Sequence, residues 1–190
     1  MNNLEFSYNG FLFEFFPNRI NDIVGQNIIH PIFVTLKKIN SVNNKDGILT
    51  IPGYFQHENK PYIITAFDYL TFNNNFLKRK NIKEINIPAS INWIISFCIS
   101  DFSNLERINF YGDYSEFDWL KDYLLYCHKS IDSCAFSDLP KLKEITIPNY
   151  FEEIDKNFIF NCKNLSVIKL KNKTLIKENN KWKINNNLNL

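Results

Sequence analysis

The sequence predicts an α/β repeat fold, in which short strands stack copy upon copy and one copy carries an inserted helix. Three observations carry this expectation. A short alternating apolar run, Leu142-x-x-Ile145-x-Ile147-Pro148, begins again at Leu165-x-x-Ile168-x-Leu170, 23 positions on. After each run comes a bulky apolar residue followed four and five positions later by two more, with Thr71 the one polar member. A single excess of residues with helical spacing interrupts one copy. One such unit cannot bury its apolar face alone, whereas several stacked units make a continuous core.

The chain opens with LEFSYNGFLFEFF over residues 4–16, which reads as two short strands around Tyr8-Asn9-Gly10. An Asn-Gly pair between alternating apolar runs is a strong hairpin signal. Pro17-Asn18 breaks the run, Ile28 to Ile39 resumes strand character, and Asn40 to Gly47 is a polar loop. Residues 1–46 are expected to form an antiparallel cap over the first copy, since the end of a stack otherwise exposes core. A separate small domain is the other reading, although forty-odd residues are few for an independent core.

The copies follow. Leu49-Thr50-Ile51-Pro52 is an abbreviated first one, Ile82-x-x-Ile85-x-Ile87-Pro88 the second, and Leu105-x-x-Ile108-x-Phe110 the third. Two alternating apolar positions suit a short strand, whose side chains point to opposite faces with period two. The proline after it donates nothing to a ladder and ends the strand. Ile85, Ile108, Ile145 and Ile168 are expected to form one buried ladder. The second halves align as Phe67, Thr71, Phe72; Ile94, Cys98, Ile99; Ile131, Ala135, Phe136; and Ile154, Phe158, Ile159. A further inward position is held by Phe102, Leu139 and Cys162. The linker Asn73 to Asn81 carries Lys78-Arg79-Lys80, read as a solvated loop, with a phosphate contact as the alternative.

The third copy departs from the rule. Ile108 to Ile145 spans 37 positions in place of 23, so 14 residues have been added within Tyr111–Lys129. Ser115 with Asp118 resembles a capping box, and Glu116 and Asp118 favour the first turn of a helix. Phe117, Leu120, Leu124 and Leu125 recur at helical spacing. Two readings stay open. The helix packs its apolar arc on the stack, with its aromatics shielding the edge; or Trp119, Asp122, Tyr123 and Tyr126 contact a partner, as insertions in repeats and exposed aromatics often do. The tail pairs Thr174-Leu175-Ile176 with Trp182-Lys183-Ile184 as a small hairpin closing the last copy, with residues 185–190 loose. Its lysines suit a charged edge that deters strand pairing.

These residues resemble the BspA-type leucine-rich repeats, whose unit is written L-x-x-[IV]-x-IP followed by I-x-x-x-AF-x-x-C-x-x-L. The segments SIDSCAFSDLPKLKEITIP and FIFNCKNLSVIKL carry that pattern, and LTIPGYFQHENKPYIITAFDYLTF looks like the family's opening repeat, with an extra turn. The resemblance covers residues 47–170 and implies a right-handed solenoid with a parallel β-sheet on one face. It also implies an interaction or adhesion role, often at a bacterial or protozoan surface. The motif contains no catalytic or cofactor-binding residues, so none are carried over.

In such a sheet the residues between the apolar pair point outward. These are Glu84 and Asn86, Arg107 and Asn109, Glu144 and Thr146, Val167 and Lys169. With parallel neighbours in register, Glu84, Arg107 and Glu144 should form one row of alternating charge. Cross-strand pairing explains the row structurally; partner binding explains it functionally. A mixed polar face without an apolar patch suits a protein first and a glycan second.

At 190 residues the chain suits one domain, and 18 Phe against 5 Gly favour a core of large aromatics. The net charge of +2 supplies no global field for nucleic acid; the lysine-rich C-terminal edge is the one place for that alternative. Cys98, Cys127, Cys134 and Cys162 show no metal-ligand spacing with His30, His57 or His128. Cys98 and Cys162 fall at core positions as reduced thiols. No apolar run reaches a membrane span, and MNNLEFSYNG has no basic n-region or apolar h-region. As given, the chain reads as cytoplasmic, and as surface-bound or secreted if a leader has been removed. The expected function is a non-enzymatic protein-interaction module, an adhesin or else a cytoplasmic inhibitor or immunity-type binder.

Overall fold

The computed structural model describes residues 5–15, 32–39, 46–68, 71–72, 79–112, 129–170, 173–179 and 181–185. Its first strands, β1 (Glu5–Tyr8) and β2 (Phe11–Phe15), pair antiparallel. Asn9 and Gly10 join them at φ 49° and 85°, the left-handed pair that a two-residue I′ turn requires. β2 pairs antiparallel with β3 (Ile32–Ile39). β4 (Ile48–Thr50) opens the first repeat, and the extra turn after it is a hairpin of β5 (Tyr54–His57) and β6 (Lys60–Phe67). The N-terminal hairpin is the expected one, but its junction with the repeats is parallel, β3 lying beside β6. Aromatic rings fill this end, Phe55 lying 4.9 Å from Phe13, 4.8 Å from Tyr8 and 5.4 Å from Tyr62.

Each following repeat contributes three strands. The second supplies β7 (Glu84–Pro88), β8 (Trp93–Ile94) and β9 (Ile99–Ser100); the third, β10 (Arg107–Tyr111), β11 (Ser130–Ile131) and β12 (Phe136–Ser137). The fourth supplies β13 (Glu144–Thr146), β14 (Glu153–Ile154) and β15 (Ile159–Phe160). β16 (Val167–Leu170) begins the pattern once more and is followed by the antiparallel pair β17 (Lys173–Glu178) and β18 (Lys181–Asn185), the hairpin expected of the tail.

Strands of the same rank form columns. The second column, β3-β6-β8-β11-β14, is parallel throughout and joins the N-terminal hairpin in one sheet; the third is β9-β12-β15. Each repeat turns through corners closed by an i+3 to i backbone hydrogen bond. Leu105, Leu142 and Leu165 donate to Phe102, Leu139 and Cys162, and Cys98, Ala135 and Phe158 donate to Ile95, Asp132 and Asp155. Asp101, Asp138 and Asn161 hold φ of 59°, 54° and 49° at one corner, while Phe97 and Cys134 hold 57° and 56° at another.

Two expectations are corrected. The α/β class gives way to a mostly β structure. Second halves of the repeats are two-residue strands, and the helical element among the described residues is a 3-10 turn, Arg79–Asn81. The helix expected in the insertion falls on residues 113–128, outside the described residues; Tyr111, which was placed in that insertion, ends β10. The single ladder is also interrupted. Leu49, Ile85 and Ile108 stand in register, as do Ile145 and Ile168, but β4-β7-β10 and β13-β16-β17-β18 are separate sheets.

The core positions follow the expected pattern. Ile82, Ile85, Ile94, Ile99, Phe102 and Leu105 are fully enclosed, as are Ala135, Phe136, Leu139 and Leu142. Each such aliphatic or aromatic side chain contributes about 1.5–3 kcal/mol on leaving water. Thr71, the polar member of the triplets, is buried because its hydroxyl donates to the Leu36 carbonyl. Ile154 and Ile159 are half-buried, since β14 and β15 are the last strands of their columns.

Candidate functional site: the polar face of the first-strand column

Outward polar residues of β4, β7 and β10 form one connected network. Asn86 Nδ2 donates to Thr50 Oγ1 at 3.0 Å, and Asn109 Nδ2 donates to Asn86 Oδ1 at 2.9 Å and to Glu84 Oε1 at 3.0 Å. Arg107 Nε lies 2.8 Å from Glu84 Oε2. The period of two aims all of these away from the core, and parallel register makes successive repeats present equivalent positions side by side. Exposed ion pairs of this kind contribute roughly 0–1 kcal/mol. They link Thr50, Asn86, Asn109, Glu84 and Arg107 side chain to side chain.

Arg107 is expected in one row of alternating charge with Glu84 and Glu144. It pairs with Glu84, and Glu144 instead takes Lys169, 2.6 Å away. The face therefore has two halves, and between them runs a cleft of about 550 Å³ lined by Arg107, Asn109, Phe110, Lys143, Glu144 and Thr146. Thus the structure brings Arg107, Asn109, Glu144 and Thr146 to one opening, with Glu84 and Asn86 behind one wall and Lys169 behind the other. Trp119, Asp122, Tyr123 and Tyr126 lie outside the described residues.

The cleft is what sequence reasoning missed. Its signal is local: β7 and β13 run into Ile87-Pro88 and Ile147-Pro148, but β10 runs into Phe110-Tyr111-Gly112. Tyr111 sends its hydroxyl back to the Ile51 carbonyl, and burial raises its pKa above the usual phenol range. Phe110 reaches across the break to Phe151, edge to face at 6.0 Å.

Arg79, offered above as a phosphate contact, is tied to the next repeat, 3.3 Å from the Ser100 carbonyl and 3.5 Å from Asp101. Cys98, Cys134 and Cys162 are free thiols. Burial raises Cys98 far above the ordinary thiol range and pushes Cys162 up to about 11, which suits core packing and not nucleophilic chemistry. Among the described residues no three His, Cys, Asp or Glu side chains gather to hold a metal, and no helix is long and apolar enough to cross a membrane.

Comparison with known proteins agrees with this architecture. A leucine-rich repeat protein from Bacteroides capillosus shares 18% identity, with a TM-score of 0.60 over 88% of this chain and 98% of that one. A leucine-rich repeat protein from Bacteroides ovatus shares 20% identity over 87% of this chain and 41% of its own, with a TM-score of 0.49. A leucine rich cell surface protein from Faecalibacterium prausnitzii shares 14% over 95% and 60%, with a TM-score of 0.43. No curated protein matches. The family model described as BspA type Leucine rich repeat region matches in 6 copies over residues 21–129 and 123–189. By this match over more than half of its length, the chain belongs to the BspA-type leucine-rich repeat family.

Proposed function

We infer that this protein is a non-enzymatic interaction module, a short right-handed solenoid that meets a protein partner with the outward face of its first-strand column. The observation that carries this reading is the organised polar face from Thr50 to Lys169, whose side chains are pre-ordered by mutual hydrogen bonds and parted by a cleft. Preordered polar groups lose little entropy on binding, so their contacts contribute to affinity and specificity. Among the described residues the outward side chains of this face are mainly polar, which favours a reversible polar interface over an obligate one.

Surface attachment is the setting we assign, on the strength of the family resemblance. A cytosolic inhibitor of one specific protein is the competing setting, and fractionation of source cells separates the two. The contact surface is tested by affinity capture from the source organism. Asn109→Arg with Thr146→Arg crowds the cleft and should reduce recovery of the captured protein by about tenfold, equivalent to about 1.4 kcal/mol. Trp119→Ala with Tyr126→Ala addresses the insertion as the rival surface. Unchanged capture by the first variant and loss by the second moves recognition to Trp119, Asp122, Tyr123 and Tyr126.

A further inference from the structure

We propose that the face built on the second-strand column is a docking groove for an arginine-bearing segment of a protein partner. This inference stands apart from the first-strand face and does not rest on it. The outward row consists of Trp93, Ser130 and Glu153, aligned in parallel register, while Ile94, Ile131 and Ile154 of the same strands turn inward. Beyond them Asp132 and Asp155 form a second row, their backbone N–H groups donating at 2.9 Å to the carbonyls of Ile94 and Ile131. Ser96 and Ser133 complete a groove of about 680 Å³.

Its charge has one sign. Asp132, Glu152, Glu153 and Asp155 line it, and no basic residue does so among the described residues. At its margin Lys129 is engaged with Glu152 at 3.3 Å. Carboxylates alone do not specify a ligand, but two further features narrow the choice. Ser130 is 4% exposed, and its Oγ has no hydrogen-bond partner among the described residues. Register nevertheless turns it outward, onto the groove floor between Trp93 and Glu153. A buried hydroxyl left without a partner is uncommon in native structures and marks a place for an incoming donor or acceptor. Trp93 is 44% exposed, and its indole Nε1 donates to Asp132 Oδ1 at 3.1 Å. That bond spans two repeats and fixes the ring at the lip of the acidic groove.

A planar cation with several N–H donors satisfies all three features. Guanidinium stacks on an indole face, forks onto a carboxylate, and has an N–H left for Ser130 Oγ. An ammonium meets the charge but offers no planar stack. A neutral sugar stacks but brings no charge to an acidic groove.

The test uses the full chain with Trp119→Phe and Trp182→Phe, so that Trp93 is the remaining tryptophan. Its emission is followed while adding the pentapeptide Ac-Gly-Gly-Arg-Gly-Gly-NH2, the same peptide with neutral citrulline, or methyl β-glucoside. The arginine peptide should shift the emission saturably and bind more tightly than the citrulline peptide by about tenfold. Asp132→Asn with Glu153→Gln keeps an acceptor for the indole and should remove that preference with melting unchanged. Ser130→Ala should weaken binding by about threefold without loss of stability, because no internal hydrogen bond is lost. Asn109→Arg with Thr146→Arg should leave the arginine preference intact, which separates this groove from the first-strand face. Equal affinity for the arginine and citrulline peptides, or preferential binding of the glucoside, overturns the proposal. The parent chain decides this even if the double carboxylate variant fails to fold.

Discussion

The first and second strand columns meet the same insertion and respond differently. In the second column, β8, β11 and β14 stay in register across the long third repeat. In the first, β10 ends one sheet and β13 begins another. The added residues leave after β10 and return before β11, so β10 is a strand of exit and β11 a strand of return. Return is enforced by packing, since Ile131, Ala135 and Phe136 are at most 1% exposed and lie where their counterparts lie in neighbouring repeats. β10 is drawn toward its N-terminal side, paired with β7 and anchored by Tyr111 to Ile51. A repeat therefore accommodates extra chain at the strand before the insertion, and the core restores order after it.

The contrast can be broken most severely by charge. Ile131→Asp in the continuous column and Ile145→Asp in the interrupted one should both abolish cooperative melting, since an unpaired buried carboxylate costs several kcal/mol. A soluble Ile145→Asp protein with parental melting would show the register to be wrong. Cavities should grade the two columns next. Phe136→Ala is expected to cost about 3–5 kcal/mol, whereas half-buried Phe110→Ala should cost about 1–2 kcal/mol, reflecting partial burial; urea denaturation measures both. Deleting residues 113–126 restores the 23-residue spacing and should let β10 pair with β13. Slower amide exchange in both strands is the expected reading, with a stability gain of about 1 kcal/mol; unchanged exchange would mean that the insertion is not what parts them. Smallest of all, Arg107→Met removes the pair with Glu84 and should shift stability by less than about 1 kcal/mol.

Much of this was legible because it depends on side-chain pattern. The Asn9-Gly10 turn, the pairing of Ile85 with Ile108 and the enclosure of Phe102 and Leu139 follow from local rules of turn chemistry and apolar spacing. The strands of the second halves were not legible, because two residues such as Trp93–Ile94 are too short to show a period. Nor was the break at β10 read, although its signal is local, Phe110-Tyr111-Gly112 standing where β7 and β13 run into Ile-Pro. For the site, the same distinction holds. Alternation identified Arg107, Asn109, Glu144 and Thr146 as outward, but only the separation of the sheets shows that they border a cleft. Ser130 and Trp93 escaped notice because register alone puts a serine between an indole and a carboxylate.

The corners of the repeats have a consequence for how this chain tolerates change. Asp101, Asp138 and Asn161 are residue types that accept the left-handed backbone they occupy, whereas Phe97 and Cys134 accept it poorly. A left-handed conformation costs an ordinary residue about 1–2 kcal/mol relative to glycine. One corner is therefore already suited to its backbone, and the other holds a reserve. Phe97→Gly and Cys134→Asn draw on that reserve, offering stabilisation that could offset otherwise harmful substitutions elsewhere, including new side chains on the outward faces.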